Sequence, residues 1–144
     1  MSRHIVQSIE VAVPRITVFE EWADFASLPA LMDNVETIEP AAQGAARTHW
    51  KVRFAGISRE FDAEITEIKP GHMIAWRSVG SQYWQSGAVA FVDLGNGRTR
   101  MTVQIDTKPA GALDTIGEIV GIPSHLVRKD LVQFRHHIER RLIS

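Results

Sequence analysis

The chain has 144 residues, of which 44% are hydrophobic and 23% charged. This is the size and composition of one soluble globular domain with its own core, so we expect a single domain over residues 1–144. A formal net charge of -1 gives no overall field that favours nucleic acid or an acidic membrane surface, so we expect no nucleic-acid partner, while specific partners of either kind stay open. The absence of cysteine excludes disulfides, thiolate catalysis and thiolate metal sites.

No stretch approaches the roughly 18 consecutive apolar residues of a membrane span, so stable membrane insertion is not expected. The first residues enter an alternating pattern directly and show no apolar h-region, which argues against a secretory signal. The expected location is therefore cytoplasmic. Monomer and homodimer both stay open.

The predicted elements begin with a strand over residues 5–13, where apolar residues alternate with others. Proline is well tolerated in a first helical turn, so Pro14 predicts a short helix to residue 23, with Ile16, Phe19 and Trp22 facing inward. A second short helix is predicted over residues 27–32.

Six strands are then predicted in succession. They span residues 35–40, 48–55, 59–68, 73–79, 83–93 and 99–107. Short connections require mostly antiparallel pairing, because parallel neighbours need crossovers of a dozen residues or more. Asn96-Gly97 is the strongest hairpin signal, since both residues accept the positive φ of a type I′ turn.

The third and fourth strands of the whole chain, predicted over residues 48–55 and 59–68, carry opposite charges on one face. His49, Lys51 and Arg53 alternate along the third strand, and Glu60 and Asp62 lie on the fourth. As cross-strand neighbours on the outer surface, these residues would pair and fix the register.

The last segment, residues 112–143, predicts one long helix. Its apolar stripe has helical spacing and consists of Leu113, Ile116, Val120, Val127, Leu131, Phe134, Ile138 and Leu142. Gly117, Gly121 and Pro123 predict a bend in its first half. The expected fold class is α+β: a curved antiparallel sheet of about seven strands, two short helices after strand 1, and a long C-terminal helix over the sheet.

Four segments carry a family resemblance beyond this element order. They are the Pro14-led helix with Phe19 and Trp22, Phe25-Ala26-Ser27-Leu28-Pro29, Phe61-Asp62-Ala63-Glu64-Ile65, and Leu131-Val132-Gln133-Phe134. Together they resemble the polyketide cyclase/dehydrase and lipid-transport family of the START/Bet v 1-like (SRPBCC, helix-grip) superfamily, over essentially the whole chain. The resemblance implies a hydrophobic ligand held between the sheet and the long helix.

The resemblance also implies that an aromatase/cyclase of this group projects an arginine into the cavity from the fourth strand. In this chain we expect that strand to place Phe61, Ala63 and Ile65 inward, without a matching arginine. Cyclase chemistry is therefore the alternative and not the leading expectation.

Catalytic and metal-binding patterns are absent from the sequence. The histidines lack both the i, i+4 helical spacing and the HxH strand spacing that converge on one ion. There is no GxSxG elbow, GxxxxGK[ST] phosphate loop or GxGxxG. We expect no catalytic residue, no metal and no cofactor.

Asp130 and His137 lie at the edge of the helical stripe, and two interpretations stay open. Either residue can act as an acid or base at a cavity wall. Either can instead pair with an arginine such as Arg141 in a structural role. Their separation, roughly 10 Å along the helix axis, excludes a direct dyad.

The expected ligand-binding residues are large side chains facing the space between sheet and helix. They are Trp50, Phe54, Phe61, Trp76, Tyr83, Phe91, Met101, Val120 and Val127. Core packing alone also explains such side chains, but a curved sheet under a helix thinned by glycines favours a pocket. His72, Ser78 and Tyr83 are the nearest polar candidates at its mouth.

Three functions remain open. The leading one is binding of a hydrophobic small molecule, such as a lipid, a polyketide-like aromatic or a quinone, without chemistry. The second is a polyketide cyclase, aromatase or dehydratase with a titratable group in the pocket, from Tyr83, His72 or Asp130. The third is a ligand-free interaction module with an exposed patch around Leu28, Leu31 and Met32.

Overall fold

Seven strands form one antiparallel sheet with helices packed on its inner face, in a computed structural model that describes residues 3–24, 28–32, 34–40, 47–54, 57–79, 84–108 and 124–143. The elements in chain order are β1 (Arg3–Val11), α1 (Arg15–Ala23), α2 (Leu28–Leu31), β2 (Val35–Pro40), β3 (Arg47–Phe54), β4 (Ile57–Lys69), β5 (Met73–Val79), β6 (Trp84–Gly95), β7 (Arg98–Lys108) and α3 (Ser124–Ile143). The predicted order of strand, two short helices, six strands and long helix is confirmed.

The strand order across the sheet is β1-β7-β6-β5-β4-β3-β2, and every neighbouring pair is antiparallel. Strands β2 to β7 lie side by side in chain order, as short connections require. β1 lies beside β7, so that β1 and β2 occupy the two edges. The segment with α1 and α2 therefore carries the chain from one edge of the sheet to the other.

The hairpin between β6 and β7 turns at the predicted dipeptide. Asn96 has φ 55° and Gly97 has φ 73°. Positive φ at both central residues is the requirement of a type I′ turn, and asparagine and glycine are the residues that meet it at least cost. This hairpin prediction is confirmed.

Opposite charges face each other on the outer surface of β3 and β4, as predicted. His49 lies opposite Asp62, and its Nδ1 is 2.6 Å from that carboxylate. Its Nε2 is 2.9 Å from Glu60 Oε1. The hydrogen bond to Glu60, and then that to Asp62, raise the pKa of His49 above its ordinary value.

The core lies between the inner face of the sheet and the two longer helices. Phe19 of α1 packs edge to face on Phe91 of β6, with ring centroids 5.7 Å apart. Trp22 packs in the same way on Phe134 of α3 at 5.3 Å. The buried residues of α3 are Val127, Asp130, Leu131, Phe134 and Ile138. The predicted stripe is thus confirmed for the described part of this helix.

Polar contacts hold α3 over β1 and α1. Arg128 donates to the Ser8 carbonyl at 3.1 Å, and a Glu139 carboxylate oxygen accepts the Ala12 backbone N–H at 2.7 Å. Arg141 forms an ion pair with Glu21 of α1. The helix is therefore fastened at several points along its length.

Two expectations about exposure are wrong. Ile16, expected to face inward, has 51% of its surface exposed. At roughly 100° per residue it lies about 160° around α1 from the buried Val18, on the far side of the packed face. Leu28 and Met32, expected in an exposed patch, are buried, so they do not form a docking surface.

Several predicted features lie outside the described residues. These are Tyr83, Val120, the bend at Gly117, Gly121 and Pro123, and the Leu31 and Phe54 side chains.

Candidate ligand-binding cavity

A cavity lies between the inner face of the sheet and α3. About 90 Å³ of this cavity is open to the centre of a water-sized molecule, and the empty space around it, open solvent included, amounts to about 770 Å³. One water molecule needs roughly 10–15 Å³ by the first measure, so the space admits a much larger group. The apolar lining consists of Trp22, Met32, Val35, Trp50, Val52, Phe61, Ala63, Ile65, Trp76, Val103, Ile105, Val127 and Leu131, and the polar lining of Thr48, Gln85 and Asp130.

A stacked pair of rings forms one side of this cavity. Trp50 of β3 lies directly opposite Phe61 of β4, and their rings are nearly parallel, with centroids 6.0 Å apart. The Trp50 indole N–H donates to Thr48 Oγ1 at 2.7 Å. Because the indole nitrogen is bonded within its own strand, the ring can present an apolar surface to the cavity.

A second tryptophan is held by an amide. The Trp76 indole N–H donates to Gln85 Oε1 at 3.2 Å, across the pair formed by β5 and β6. The Gln85 backbone N–H donates to Ser78 Oγ at 2.8 Å. Gln85 is only 4% exposed, so a polar amide lies in an otherwise apolar wall.

The third polar group is the Asp130 carboxylate on α3. It accepts the side-chain N–H of Asn34 at 3.0 Å and the Asn34 backbone N–H at 3.4 Å. The Asn34 carbonyl in turn accepts the Arg53 backbone N–H at 2.8 Å. Asp130 therefore ties α3 to the start of β2 while lining the cavity.

The structure brings four of the predicted ligand-binding residues to the cavity wall: Trp50, Phe61, Trp76 and Val127. Phe91 and Met101 are buried but are not part of its lining. Phe91 packs under α1, which covers that part of the sheet.

The polar candidates are placed less well by the sequence. His72 is exposed, and its ring nitrogen lies 3.4 Å from Arg15. Ser78 bonds the Gln85 backbone and does not itself line the cavity. His137 is exposed, and Arg141, weighed as a partner of Asp130, contacts Glu21.

Sequence reasoning missed Thr48 and Gln85, although the signal was present. Both extend the inward alternation by one more step: Thr48 precedes Trp50 by two residues, and Gln85 precedes Gly87 by two. Side chains two apart on a strand share a face. Alternation therefore predicts the face on which both residues lie, but a polar side chain carries no hydrophobic signal that marks it as part of a cavity lining.

One arginine of β4 bears on the expectation that this strand has no match to the arginine of aromatase/cyclases. In the strand register Arg59 pairs with Val52, and it precedes Phe61 by two residues. The expectation that no arginine of this strand matches the one implied by the family resemblance stays a prediction. The Arg59 side chain lies outside the described part.

The described part of the chain shows neither a candidate metal site nor a helix that could span a membrane. Its histidines, aspartates and glutamates form no group of three that could hold a metal ion. None of its helices is long and apolar enough to cross a bilayer.

A curved antiparallel sheet that packs against a C-terminal helix over an apolar cavity is the START/Bet v 1-like, or helix-grip, fold. The chain belongs to the polyketide cyclase / dehydrase and lipid transport family, whose model matches residues 11–134. It is also 36% identical over 137 residues to an uncharacterized 17.2 kDa protein in the melC2-rnhH intergenic region of Streptomyces lincolnensis. That match covers 95% of this chain and 90% of the relative.

Solved structures agree with this fold. The Zhui aromatase/cyclase from Streptomyces sp. R1128 superposes with a TM-score of 0.80 at 21% identity, covering 99% of this chain and 96% of the other. The Deinococcus radiodurans protein DR_A0006 gives a TM-score of 0.73 at 26% identity, covering 95% and 97%.

Proposed function

We propose that this protein binds a hydrophobic small molecule in the cavity between its sheet and α3, without performing chemistry on it. The observation that carries the proposal is a cavity lined by thirteen apolar and three polar residues inside a well-packed domain. An apolar pocket with a few polar groups is the usual form of a small-molecule site. Cytoplasmic location, and a monomeric or homodimeric state, stay predictions.

The driving force would be removal of apolar ligand surface from water, worth about 25 cal/mol per Å² before the costs of association. Trp22, Trp50 and Trp76 line the space, so a bound aromatic compound should change their fluorescence. A lipid, a polyketide-like aromatic and a quinone all meet the requirement for an apolar body.

The test is a fluorescence titration with 1-naphthol and with the quinone menadione. Val127→Phe adds bulk at a buried cavity position on α3 and should weaken binding about tenfold or more. Val92→Phe makes the same change at a residue of β6 that is 48% exposed, and should leave affinity within about twofold. Absence of binding to the unaltered protein, or equal effects of both variants, would contradict the proposal.

A cyclase, aromatase or dehydratase is the second candidate, because a carboxylate lies in the wall. Asp130 is 6% exposed and lines the cavity. A carboxylate there can serve as a general base, and the cavity can hold a reactive chain in the geometry of ring closure.

This alternative predicts that one substitution can abolish turnover while ligand binding is retained. Asp130→Asn keeps the shape of the side chain, so it should retain 1-naphthol binding but abolish cyclisation of a poly-β-ketone thioester. Arg59→Gln tests in the same assay the arginine that pairs with Val52 in the backbone register of β4. If the unaltered protein gives no product above the uncatalysed background, the enzyme alternative is excluded for that substrate.

A further inference from the structure

Gly87 is the position on β6 where the sheet has no room for a side chain. It lies opposite Trp76 of β5. A Cβ atom at residue 87 would lie 2.5 Å from Trp76 Cζ2 and 2.8 Å from Trp76 Cε2. Both distances are far below van der Waals contact, so the indole lies directly on the glycine backbone.

This contact determines where the indole can lie. The same Cβ would also meet the backbone oxygen of Gln104 at 2.7 Å, and that atom belongs to the β7 ladder. With a side chain at residue 87, Trp76 would have to move away from the sheet. Since Trp76 lines the cavity, such a movement would be into the space that a ligand needs.

The polar end of the cavity lies beside the contact between the Trp76 indole and Gly87. Gln85 precedes Gly87 by two residues and accepts the Trp76 N–H. A primary amide carries two donors and two acceptor positions, so it can bond the indole and a further group together.

A second polar group lies beside Gln85. Thr107 of β7 is directly opposite it in the register and only 1% exposed. Its hydroxyl is without a hydrogen-bond partner among the described residues. Buried hydroxyls nearly always have a partner, so the Thr107 hydroxyl leaves hydrogen-bonding capacity beside Gln85, although Thr107 does not itself line the cavity.

We propose that Gly87 and Gln85 determine which ligands the cavity accepts. Gly87 sets its depth by letting the Trp76 indole lie flat on β6, and Gln85 binds an oxygen of a ring ligand that stacks on that indole. The favoured ligand is a planar ring system with a hydroxyl or carbonyl group at one end. This inference rests on the proposed function and adds a ligand class to it.

The amide is tested with two probes of similar size, 1-naphthol and 1-methylnaphthalene, of which only the first carries an oxygen. The unaltered protein should prefer 1-naphthol by about 3- to 10-fold, the range of one net hydrogen bond. Gln85→Met keeps the side-chain length without the amide and should remove that preference, while 1-methylnaphthalene affinity changes less than about twofold.

The outcomes separate the two proposals. If neither probe binds the unaltered protein, the proposed function fails and this inference with it. If both probes bind but Gln85→Met leaves their affinity ratio unchanged, or if the unaltered protein has no preference, only the inference is overturned.

The glycine is tested by a double-mutant cycle with phenol and 1-naphthol as one-ring and two-ring probes. Gly87→Ala should weaken 1-naphthol about fivefold or more and phenol less than about twofold. In a Trp76→Phe background, where the clashing part of the indole is gone, the same substitution should cost less than about twofold for both probes.

Two results would overturn the role of Gly87. One is an equal loss for both probes. The other is an equal loss, or equal unfolding, in both backgrounds, which would assign the effect to the Gln104 backbone contact instead of Trp76. Thermal unfolding of all four proteins accompanies the titrations, so a variant that fails to fold is still informative through its Trp76→Phe counterpart.

Discussion

Two buried threonines on β7 differ in whether the side-chain hydroxyl has a hydrogen-bond partner, and this difference should decide how each contributes to stability. Thr99 is fully buried, and its hydroxyl donates to the Val13 carbonyl at 2.7 Å. Val13 lies between β1 and α1, so this bond holds the start of the helical segment onto the sheet. Thr107, on the same face of the same strand, is equally buried but without a partner in the described part of the chain.

The same substitution should therefore have opposite effects at the two sites in the ligand-free protein. Thr99→Val keeps the shape but leaves a buried carbonyl unsatisfied, and should lower the free energy of unfolding by about 1–3 kcal/mol. Thr107→Val removes a buried hydroxyl and should be neutral or slightly stabilising. Urea unfolding of both variants measures the difference; equal destabilisation would contradict the assignment of the Thr99 bond.

At the scale of elements, the outer faces of β3 and β4 are joined by charge as well as by their backbone ladder. His49 contacts carboxylates of two residues on β4, Asp62 opposite it and Glu60 diagonally. These contacts favour the protonated imidazole and raise its pKa, the bond to Glu60 contributing most. The side chain is 38% exposed, so solvent screens the interaction and its contribution to stability is modest.

The pH dependence follows from the direction of this shift. A raised pKa in the folded state means that the stabilisation is complete below the ordinary histidine pKa of about 6.5 and is lost as pH rises through the higher folded value. The stability difference between the unaltered protein and His49→Gln should therefore be larger at about pH 6 than at about pH 8.5. His137→Gln, which removes an exposed histidine of α3, controls for a general effect of surface charge.

The strands were largely predictable, because apolar residues at every second position indicate which face of a strand is buried. The strand bounds agree with the structure to within about two residues, and the hairpin followed from the φ preferences of Asn96 and Gly97. Ile16 was placed wrongly because a nine-residue helix contains too few turns to define its buried face. Burial of Phe91 and Met101 was predictable, but their distance from the cavity depends on where α1 lies, which alternation does not encode.

At the scale of the whole molecule, the cavity is a departure from the close packing of the rest of the core. Protein interiors normally leave few voids larger than a water molecule, and an apolar void loses the contacts that would fill it. Leu131 and Phe134 of α3 are nearly fully buried, so the helix is firmly seated beside the open space. An opening kept within an otherwise dense core is expected where function outweighs stability.

Filling this space should therefore stabilise the protein and impair binding together. Ala63 of β4 is 2% exposed and lines the cavity, and a β-branched residue suits its strand. Ala63→Val should raise the free energy of unfolding by about 0.5–2 kcal/mol and weaken 1-naphthol binding severalfold, because the added methyl groups occupy ligand space.

Ala75→Val is the matched change on the outer face of β5, where Ala75 is half-buried away from the cavity. It should leave affinity within about twofold, since only the inner face meets the ligand. Urea unfolding and fluorescence titration of both variants give the two quantities. A variant at residue 63 that gains stability and binds as well as the unaltered protein would show that this void is a packing defect and that the ligand binds elsewhere.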